Sequence, residues 1–362
     1  MQEVSTPQFD ESKLNQFVGR MLGDVGAVAN GVLTHIGDRL GFYKALMKLG
    51  SADAKAVAAE TGTSERMVRE WLSAQAAQGY IDYDQETDRF SLSPEKAMVF
   101  ADENSPVYMA GFFDIACAVF RDEPKITESF KSGRGLGWNE RNPCLFCGTA
   151  RFFRTTYKHH LINEWLPALN GVATKLESGG IVADVGCGHG ISTIIMAQAF
   201  PNAHFHGYDA HPPSIDAARQ AAAEAGVSDR VSFDVALAKD FPARSFDLVC
   251  FFDCLHDLGD PVGAAAHVRE AVAPDGSWMI VEPFSHDHLA DNLNPIGAIY
   301  YAASTMICTP ASLAQEVGLA LGAQAGETKL RGVAADGGFE HFRRVAETPF
   351  NMVFEARREA FT

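Results

Sequence analysis

The sequence has little positive charge, no long apolar run and no N-terminal stretch that resembles a signal peptide. Its 362 residues contain 30 Lys and Arg against 46 Asp and Glu, a formal net charge of −16. This balance argues against a nucleic-acid backbone or an anionic membrane surface as the main partner. No apolar run approaches the roughly 20 residues of a membrane-spanning helix, and residues 1–7 lack the basic and apolar regions of a signal peptide. We therefore expect a cytoplasmic protein that acts on a small molecule.

The sequence also shows no pattern of paired cysteines and no clear metal-binding motif. The seven cysteines are odd in number and scattered, which predicts reduced thiols. Cys144 and Cys147 form a single C-x-x-C with no second pair nearby, which we interpret as packing thiols rather than a zinc site. Two histidines and two aspartates lie within residues 286–291, but this polar run is more typical of a solvated turn. We predict no metal.

Glycines are concentrated where residues 181–190 read Ile-Val-Ala-Asp-Val-Gly-Cys-Gly-His-Gly. The apolar start predicts the end of a buried strand, and residues 191–200 have the apolar spacing of a helix. Such an element suits ligand binding, because backbone approaches a ligand closely only where no Cβ intrudes. The glycine spacing differs from the dinucleotide pattern G-x-G-x-x-G. Residues 181–200 also contain no Lys or Arg, so a ligand without phosphates fits better.

This stretch resembles motif I of the class I S-adenosylmethionine (SAM) methyltransferases, in which the glycine turn lies under the methionine part of the cofactor. The resemblance implies cofactor contacts from the following residues: Asp184, Gly186, Cys187, Gly188 and Gly190.

A second acidic residue ends the next predicted strand. Asp209 lies 25 residues after Asp184, near the distance at which an acid meets a ribose diol across the sheet. A carboxylate can accept hydrogen bonds from two adjacent hydroxyls. We therefore predict that Asp209, with Ala210 beside it, binds the cofactor ribose. The alternative is an N-cap for the helix that begins near Pro212 or Ser214.

The resembling family usually has Gly-Asp after the third strand, with the carboxylate on the adenine amino group. Here Ala236 and Leu237 occupy those positions, so the acid is missing. Asp240 or backbone groups at Ala238 could substitute for it. The way in which adenine is held is left open at this point.

Residues 255–260, Leu-His-Asp-Leu-Gly-Asp, resemble a segment of the plant small-molecule O-methyltransferases. The resemblance implies that His256 is the general base for an acceptor hydroxyl and that Glu282 flanks and orients it. Imidazole suits this task because it titrates near neutral pH. Phe252 and Asp253 would then lie near the methionine end of the cofactor. A structural or helix-capping histidine is the alternative; Leu258 replaces the family's tryptophan, and its second flanking glutamate has no clear match.

The N-terminal part has the pattern of a winged helix. Two helical segments and two short strands are predicted: 54–61, 64–78, 80–83 and 89–92. DNA recognition would need basic side chains on the second helix. Its Arg66 and Arg69 are offset by Glu65 and Glu70, so we favour a dimerisation and substrate-capping module.

From residue 181 strands and helices alternate, which predicts a parallel sheet with helices on both faces. The predicted strands are 181–185, 204–208, 231–235, 246–251, 277–282, 328–333 and 350–356, the last two forming an antiparallel hairpin. We expect an α/β fold: a Rossmann-like seven-stranded methyltransferase sheet with an N-terminal, mainly helical winged-helix domain. The expected domains are 1–100 (winged helix, dimerisation), 101–165 (helical connector and substrate cap) and 166–362 (methyltransferase).

The expected function is transfer of a methyl group from SAM, leaving S-adenosylhomocysteine, to a small-molecule hydroxyl by a homodimer. N-, S- or C-methylation, a SAM-sensing transcriptional regulator and a non-SAM nucleotide binder are the alternatives. The chain is also similar to bacterial winged-helix methyltransferases whose acceptors are mostly unassigned, so the resemblance does not supply the acceptor.

Overall fold

The computed structural model describes residues 9–361, and the chain divides into two compact units, residues 1–117 and 118–362. Residues 1–7, considered above for a signal peptide, lie outside the described residues. The domain bounds 1–100, 101–165 and 166–362 stay a prediction. Within residues 9–361, no helix is both long and apolar enough to cross a membrane.

The first unit is mainly helical. Its elements are α1 (Glu11–Leu40), α2 (Phe42–Leu49), β1 (Ser51–Ala52), α3 (Ala54–Thr61), α4 (Glu65–Ala77), β2 (Asp82–Asp84), β3 (Arg89–Ser91) and α5 (Pro94–Phe100). Helix α1 begins at Glu11 because the Asp10 side chain accepts hydrogen bonds from two backbone N–H groups of its first turn. The strands form an antiparallel sheet in the order β1-β3-β2. Helices α3 and α4, followed by the antiparallel pair β2 and β3, confirm the winged-helix prediction.

Helix α4 packs one face into the core of this unit, as its spacing predicts. Val68, Trp71, Leu72 and Gln75 are all buried. The buried Gln75 amide oxygen accepts a hydrogen bond from the Tyr43 hydroxyl at 2.6 Å, so its polar group is satisfied. Ser64 is the N-cap residue of this helix, but its side chain makes no capping hydrogen bond.

The second unit contains the large sheet. Helix α6 (Ala110–Ser132) spans the division, and 3-10 turns lie at Trp138–Glu140, Leu255–Asp257 and Leu289–Asn292. The other helices are α7 (Cys144–Thr156), α8 (Leu166–Ala168), α9 (Val172–Glu177), α10 (Ile191–Ala199), α11 (Pro212–Glu224), α12 (Pro261–Ala271), α13 (Pro295–Ala303), α14 (Thr309–Leu313) and α15 (Gly326–Asp336). Two π-helical segments, Tyr157–Trp165 and Ser304–Cys308, continue α7 and α13.

The seven strands follow the order β6-β5-β4-β7-β8-β10-β9. They are β4 (Ile181–Val185), β5 (His204–Asp209), β6 (Val231–Val235), β7 (Phe246–Phe252), β8 (Val272–Pro283), β9 (His341–Glu347) and β10 (Asn351–Arg357). The first five run parallel, and β10 is antiparallel to both β8 and β9. Buried apolar clusters cover both faces of the sheet. The predicted seven-stranded α/β fold is confirmed.

One predicted strand is wrong. Residues 328–333 lie in helix α15, and the strand that completes the sheet is β9. Leu330, Val333 and Ala334 are buried at intervals of three and four residues, which is the spacing of one helix face. The antiparallel hairpin exists, but its first strand lies after the Gly337-Gly338 turn.

The order of the strands determines where a ligand fits. The connection from β4 leads to β5 on one side, whereas β7 pairs with β4 on the other side. Open α/β sheets bind ligands at this switch point, outside the carboxyl ends of the strands. The glycine turn after β4, Asp209 at the end of β5 and the segment after β7 all lie at this edge.

Candidate functional site

The glycine turn after β4 has three left-handed backbone positions. Gly186, Gly188 and Gly190 have φ values of +75°, +52° and +73°, which favour glycine. A Cβ on Gly186 would lie 2.8 Å from the sulfur of Cys254, and one on Gly190 would lie 2.5 Å from the Phe233 ring. A Cβ on Gly188 would have no atom within 4 Å. Two glycines therefore serve internal packing, whereas Gly188 leaves room for a ligand.

Asp184 lies beneath this turn rather than at its surface. It is fully buried, and its Oδ2 accepts hydrogen bonds from the hydroxyls of Ser192 and Thr193, both at 2.6 Å. Burial raises the pKa of Asp184 to about 6. These bonds tie the end of β4 to the first turn of α10. Cys187 is likewise buried, and burial raises the pKa of its thiol well above the ordinary value.

Asp209 connects β5 to the glycine turn. Its Oδ2 accepts from the Gly188 N–H at 2.9 Å and its Oδ1 accepts from the His211 N–H at 2.8 Å. The N-cap residue of α11 is His211, so the capping alternative for Asp209 is wrong. Burial raises the pKa of Asp209. Each carboxylate oxygen retains a second lone pair with which it can accept from a ligand hydroxyl.

An open cleft of about 500 Å³ follows β6. It is lined by Ala210, Asp234, Val235, Ala236, Leu237, Asp240 and Pro242. The side chains of Val235 and Leu237 are about half exposed here, which is unusual for apolar residues at a strand end. Asp240 accepts a hydrogen bond from the Leu237 N–H at 3.0 Å. Of the residues predicted for this part of the site, Ala210 and Asp240 line the cleft, whereas Ala238 is not among the lining residues.

Asp253 follows β7 in a strained conformation. Its φ of +51° is left-handed, which a non-glycine residue adopts only when its surroundings enforce it. Its carboxylate accepts from the Asn351 amide at 3.0 Å and from the Tyr157 hydroxyl at 3.4 Å. Burial raises the pKa of Asp253 well above its usual value. Phe252, beside it, is buried with its ring 5.2 Å from that of Tyr157.

His256 lies between two carboxylates in the segment after β7. Its Nδ1 is 2.5 Å from Glu282 Oε2, and Glu282 Oε1 accepts from the Leu255 N–H at 3.0 Å. Its Nε2 lies 3.1 Å from Asp257 Oδ1, and the residue is only 3% exposed. Burial would lower the pKa of His256, but the charges of Glu282 and Asp257 outweigh it and raise the pKa well above the ordinary value. The structure brings His256 and Glu282 together as the resemblance implies.

No sequence pattern indicated that several further residues would contribute to this site. Tyr157 and Asn351 reach Asp253 from segments that are about 100 residues away along the chain. Gln315 donates to the Asp257 carbonyl at 2.8 Å and so holds the segment that carries His256.

Residues 286–291 form an exposed turn, as predicted. Within it, Asp287 accepts two hydrogen bonds from Thr328.

Comparison with known proteins agrees with this geometry. Residues 176–331 match a family model described as a methyltransferase domain. This part of the chain therefore carries a methyltransferase domain. Residues 28–101 match a model described as an Rv2258c-like winged HTH domain. A methyltransferase domain that follows a winged-helix domain is therefore confirmed, and the first model covers all of the predicted site residues.

Solved structures share the fold of nearly the whole chain. Mitomycin 7-O-methyltransferase MmcR aligns with a TM-score of 0.67 and 20% identity over 96% of this chain and 98% of its own. Human N-acetylserotonin methyltransferase, solved in complex with SAM, aligns with a TM-score of 0.69 and 15% identity over 98% and 99%. At these identities the likeness shows the fold, which is that of SAM-dependent methyltransferases.

Curated sequence relatives match about a third of the chain. A probable tocopherol O-methyltransferase of Oryza sativa is 34% identical over 110 residues, 30% of each chain. Ajmaline N-methyltransferase of Rauvolfia serpentina is 33% identical over 107 residues, which are 29% of this chain and 35% of the relative. The chain thus spans about a third of the length of these two curated relatives.

Proposed function

We propose that the methyltransferase domain binds SAM and transfers its methyl group to a small-molecule acceptor, with a hydroxyl as the favoured nucleophile. The observation that carries this proposal is the pairing of Gly188 with Asp209. Gly188 leaves open the space that a Cβ would fill, and its N–H holds the Asp209 carboxylate beside that space. Both residues lie at the switch point of a sheet with the methyltransferase fold.

The residues present fit this cofactor. Asp209 would accept from the ribose hydroxyls, and Gly186, Gly188 and Asp253 would lie along the methionine part. The cleft after β6 suits adenine, since the half-exposed Val235 and Leu237 offer apolar contact to a planar ring. Asp240, whose Oδ1 accepts from a backbone N–H, retains its other carboxylate oxygen for the adenine amino group. Bound SAM supplies an electrophilic methyl carbon on a sulfonium.

His256 would remove the acceptor proton. Glu282 accepts from Nδ1–H, so the neutral ring carries its lone pair on Nε2, where a proton can be taken up. Glu282 and Asp257 both favour the charged ring. They therefore stabilise the imidazolium that forms as the hydroxyl loses its proton. A positioned general base contributes about 10²- to 10⁴-fold to a rate.

The burial of His256 supports a second candidate. With 3% exposure and both ring nitrogens facing carboxylates, His256 could serve as a positioning residue only. The acceptor would then be a nucleophile that needs no base, such as a neutral amine, a thiolate or a carbanion. An O-methyltransferase and an N-methyltransferase both occur among the relatives, so the relatives do not favour either acceptor.

An acceptor screen that measures release of S-adenosylhomocysteine tests the proposed activity. Turnover of hydroxylated acceptors that is lost in His256→Asn supports the base, since asparagine keeps a donor toward Glu282 but removes Nε2. Turnover that survives in this variant supports positioning. Absence of turnover with every acceptor class, together with absence of SAM binding, would refute the proposal.

The exposed face of α1 supports a homodimer. Six apolar residues recur at alternating intervals of four and three, which is the heptad pattern of a coiled-coil seam: Leu14, Val18, Met21, Val25, Val28 and Val32. Their side chains are 41% to 62% exposed. We propose that a second copy of this chain covers this row of apolar residues.

Arg66 and Arg69 on α4 are paired with Glu70 and Asp88, which leaves little free positive charge for DNA on that helix.

A further inference from the structure

A second kind of ligand fits the surroundings of His256. The Nε2 or Nδ1 of His256, a carboxylate oxygen of Asp257 and the sulfur of Cys308 lie within 4.8 Å of one another. All three residues are more than nine-tenths buried. Asp257 Oδ1 is buried but accepts no hydrogen bond of proper geometry from residues 9–361, although His256 Nε2 is 3.1 Å away. Burying a carboxylate oxygen that has only this ion-pair contact is costly, so a cation there would be stabilised.

We propose that His256, Asp257 and Cys308 form a binding site for a thiophilic divalent cation of the zinc class. Imidazole nitrogen, thiolate and carboxylate are the three kinds of ligand that zinc takes in proteins. The sulfur ligand disfavours magnesium and calcium, which prefer oxygen. Tetrahedral zinc would separate its ligand atoms by about 3.3–3.7 Å. The two ligand atoms that lie farthest apart would therefore have to approach each other by about 1 Å.

Glu282 completes the arrangement as an outer partner of the metal. It accepts from Nδ1 at 2.5 Å and thereby fixes the ring with Nε2 toward Asp257. A carboxylate on the far nitrogen of a metal-binding histidine is the usual way in which such a ligand is oriented. Cys308 ends the π-helical turn Ser304–Cys308, a type of irregularity that is frequent at functional sites.

The positive charge of Arg141 does not bar a cation. Arg141 donates to the carbonyls of Met306 and Ile307 and is attracted by the charge of Asp257. Metal binding displaces protons from its ligands. A divalent ion that replaces one proton on the imidazolium and one on the thiol leaves the total charge of the group unchanged.

The consequence for activity rests on the proposed function. A metal ion on Nε2 occupies the lone pair that would accept the proton of the acceptor hydroxyl. We therefore expect the metal-loaded enzyme to be inhibited. Three protein ligands leave a fourth position of the metal for water or for an acceptor oxygen.

Titration of the metal-free full-length protein with Co²⁺, without SAM or acceptor, tests the site. We expect one Co²⁺ per chain, with a sulfur-to-cobalt charge-transfer band in the near ultraviolet and strong d–d bands. Cys308→Ser should abolish the charge-transfer band. Asp257→Asn should keep the band and weaken binding, and Glu282→Gln should weaken binding by about 10- to 100-fold.

The double variant Cys144→Ser/Cys147→Ser is the control, because the C-x-x-C pair is the competing thiolate site. Its cobalt spectrum should match that of the wild type. A band that survives in Cys308→Ser, a band that disappears in the double variant, or the absence of any band in the wild type would overturn the metal site. Circular dichroism checks that each variant is folded. An active enzyme that binds no Co²⁺ refutes this site alone, whereas a Co²⁺-binding protein without SAM binding or turnover refutes the proposed function alone.

Discussion

Replacement of Gly188 by valine should damage cofactor binding much more than folding. A Cβ at this position meets no atom within 4 Å, so the new side chain would project into the space assigned to SAM. The φ of +52° is unfavourable for any residue with a Cβ and costs about 1–2 kcal/mol of stability. Gly226 provides a matched control, because its φ is +69° and its Cβ would likewise meet nothing within 4 Å. Gly226→Val should therefore lose similar stability.

The expected loss of affinity follows from the volume that valine adds. Forcing extra methyl groups into an occupied space costs about 1–3 kcal/mol. At 1.4 kcal/mol per tenfold, this corresponds to about a 5- to 150-fold rise in Kd. Calorimetric titration with S-adenosylhomocysteine measures the effect, and thermal unfolding measures the shared backbone cost. Unchanged affinity in Gly188→Val, or an equal loss in Gly226→Val, would refute the assignment of this loop to the cofactor.

Three further variants test other parts of the account. Because the pKa of Asp184 is about 6 in the fold and 3.8 as a free group, its ionisation lowers stability by up to about 3 kcal/mol as pH rises from 4 to 6. The stability of Asp184→Asn relative to the wild type should therefore rise over this range in urea unfolding. His256→Asn should keep SAM affinity within a few-fold and reduce turnover about 10²- to 10⁴-fold. Val25→Lys should convert the dimer to monomer in sedimentation velocity.

Each of these variants has a defined contrary result. A stability difference for Asp184→Asn that does not change between pH 4 and 6 would show that the carboxylate is not desolvated. Full turnover in His256→Asn would remove the base from the mechanism. For the dimer, Gln16→Lys on the opposite face of α1 adds the same charge and should leave the assembly intact. If the wild type is a monomer, or if both lysine variants are monomers, the apolar row on α1 is not the dimer interface.

Sequence patterns predict which residues lie together at this edge of the sheet. The glycine turn, Asp209 and the pairing of His256 with Glu282 each follow from residues at the ends of parallel strands, which topology brings to one edge. The prediction of a strand at 328–333 was wrong, because burial of Leu330 and Val333 has the period of a helix.

The parts that sequence could not predict depend on distant segments. Asn351 and Tyr157 contact Asp253 only because β10 inserts between β8 and β9 and because α7 continues into a π-helical segment. Cys308 approaches His256 in the same way, from a π-helical turn about 50 residues further along the chain. The spacing of residues within a short segment does not predict contacts with segments far along the chain.

We propose that residues 184–190 and Asp209 hold SAM rather than a dinucleotide. Calorimetric titration of the wild-type protein with S-adenosylhomocysteine, and separately with NADH, distinguishes the two ligands. We predict one molecule of S-adenosylhomocysteine bound per chain and no heat with NADH. Binding of NADH without heat from SAM or S-adenosylhomocysteine would contradict the account.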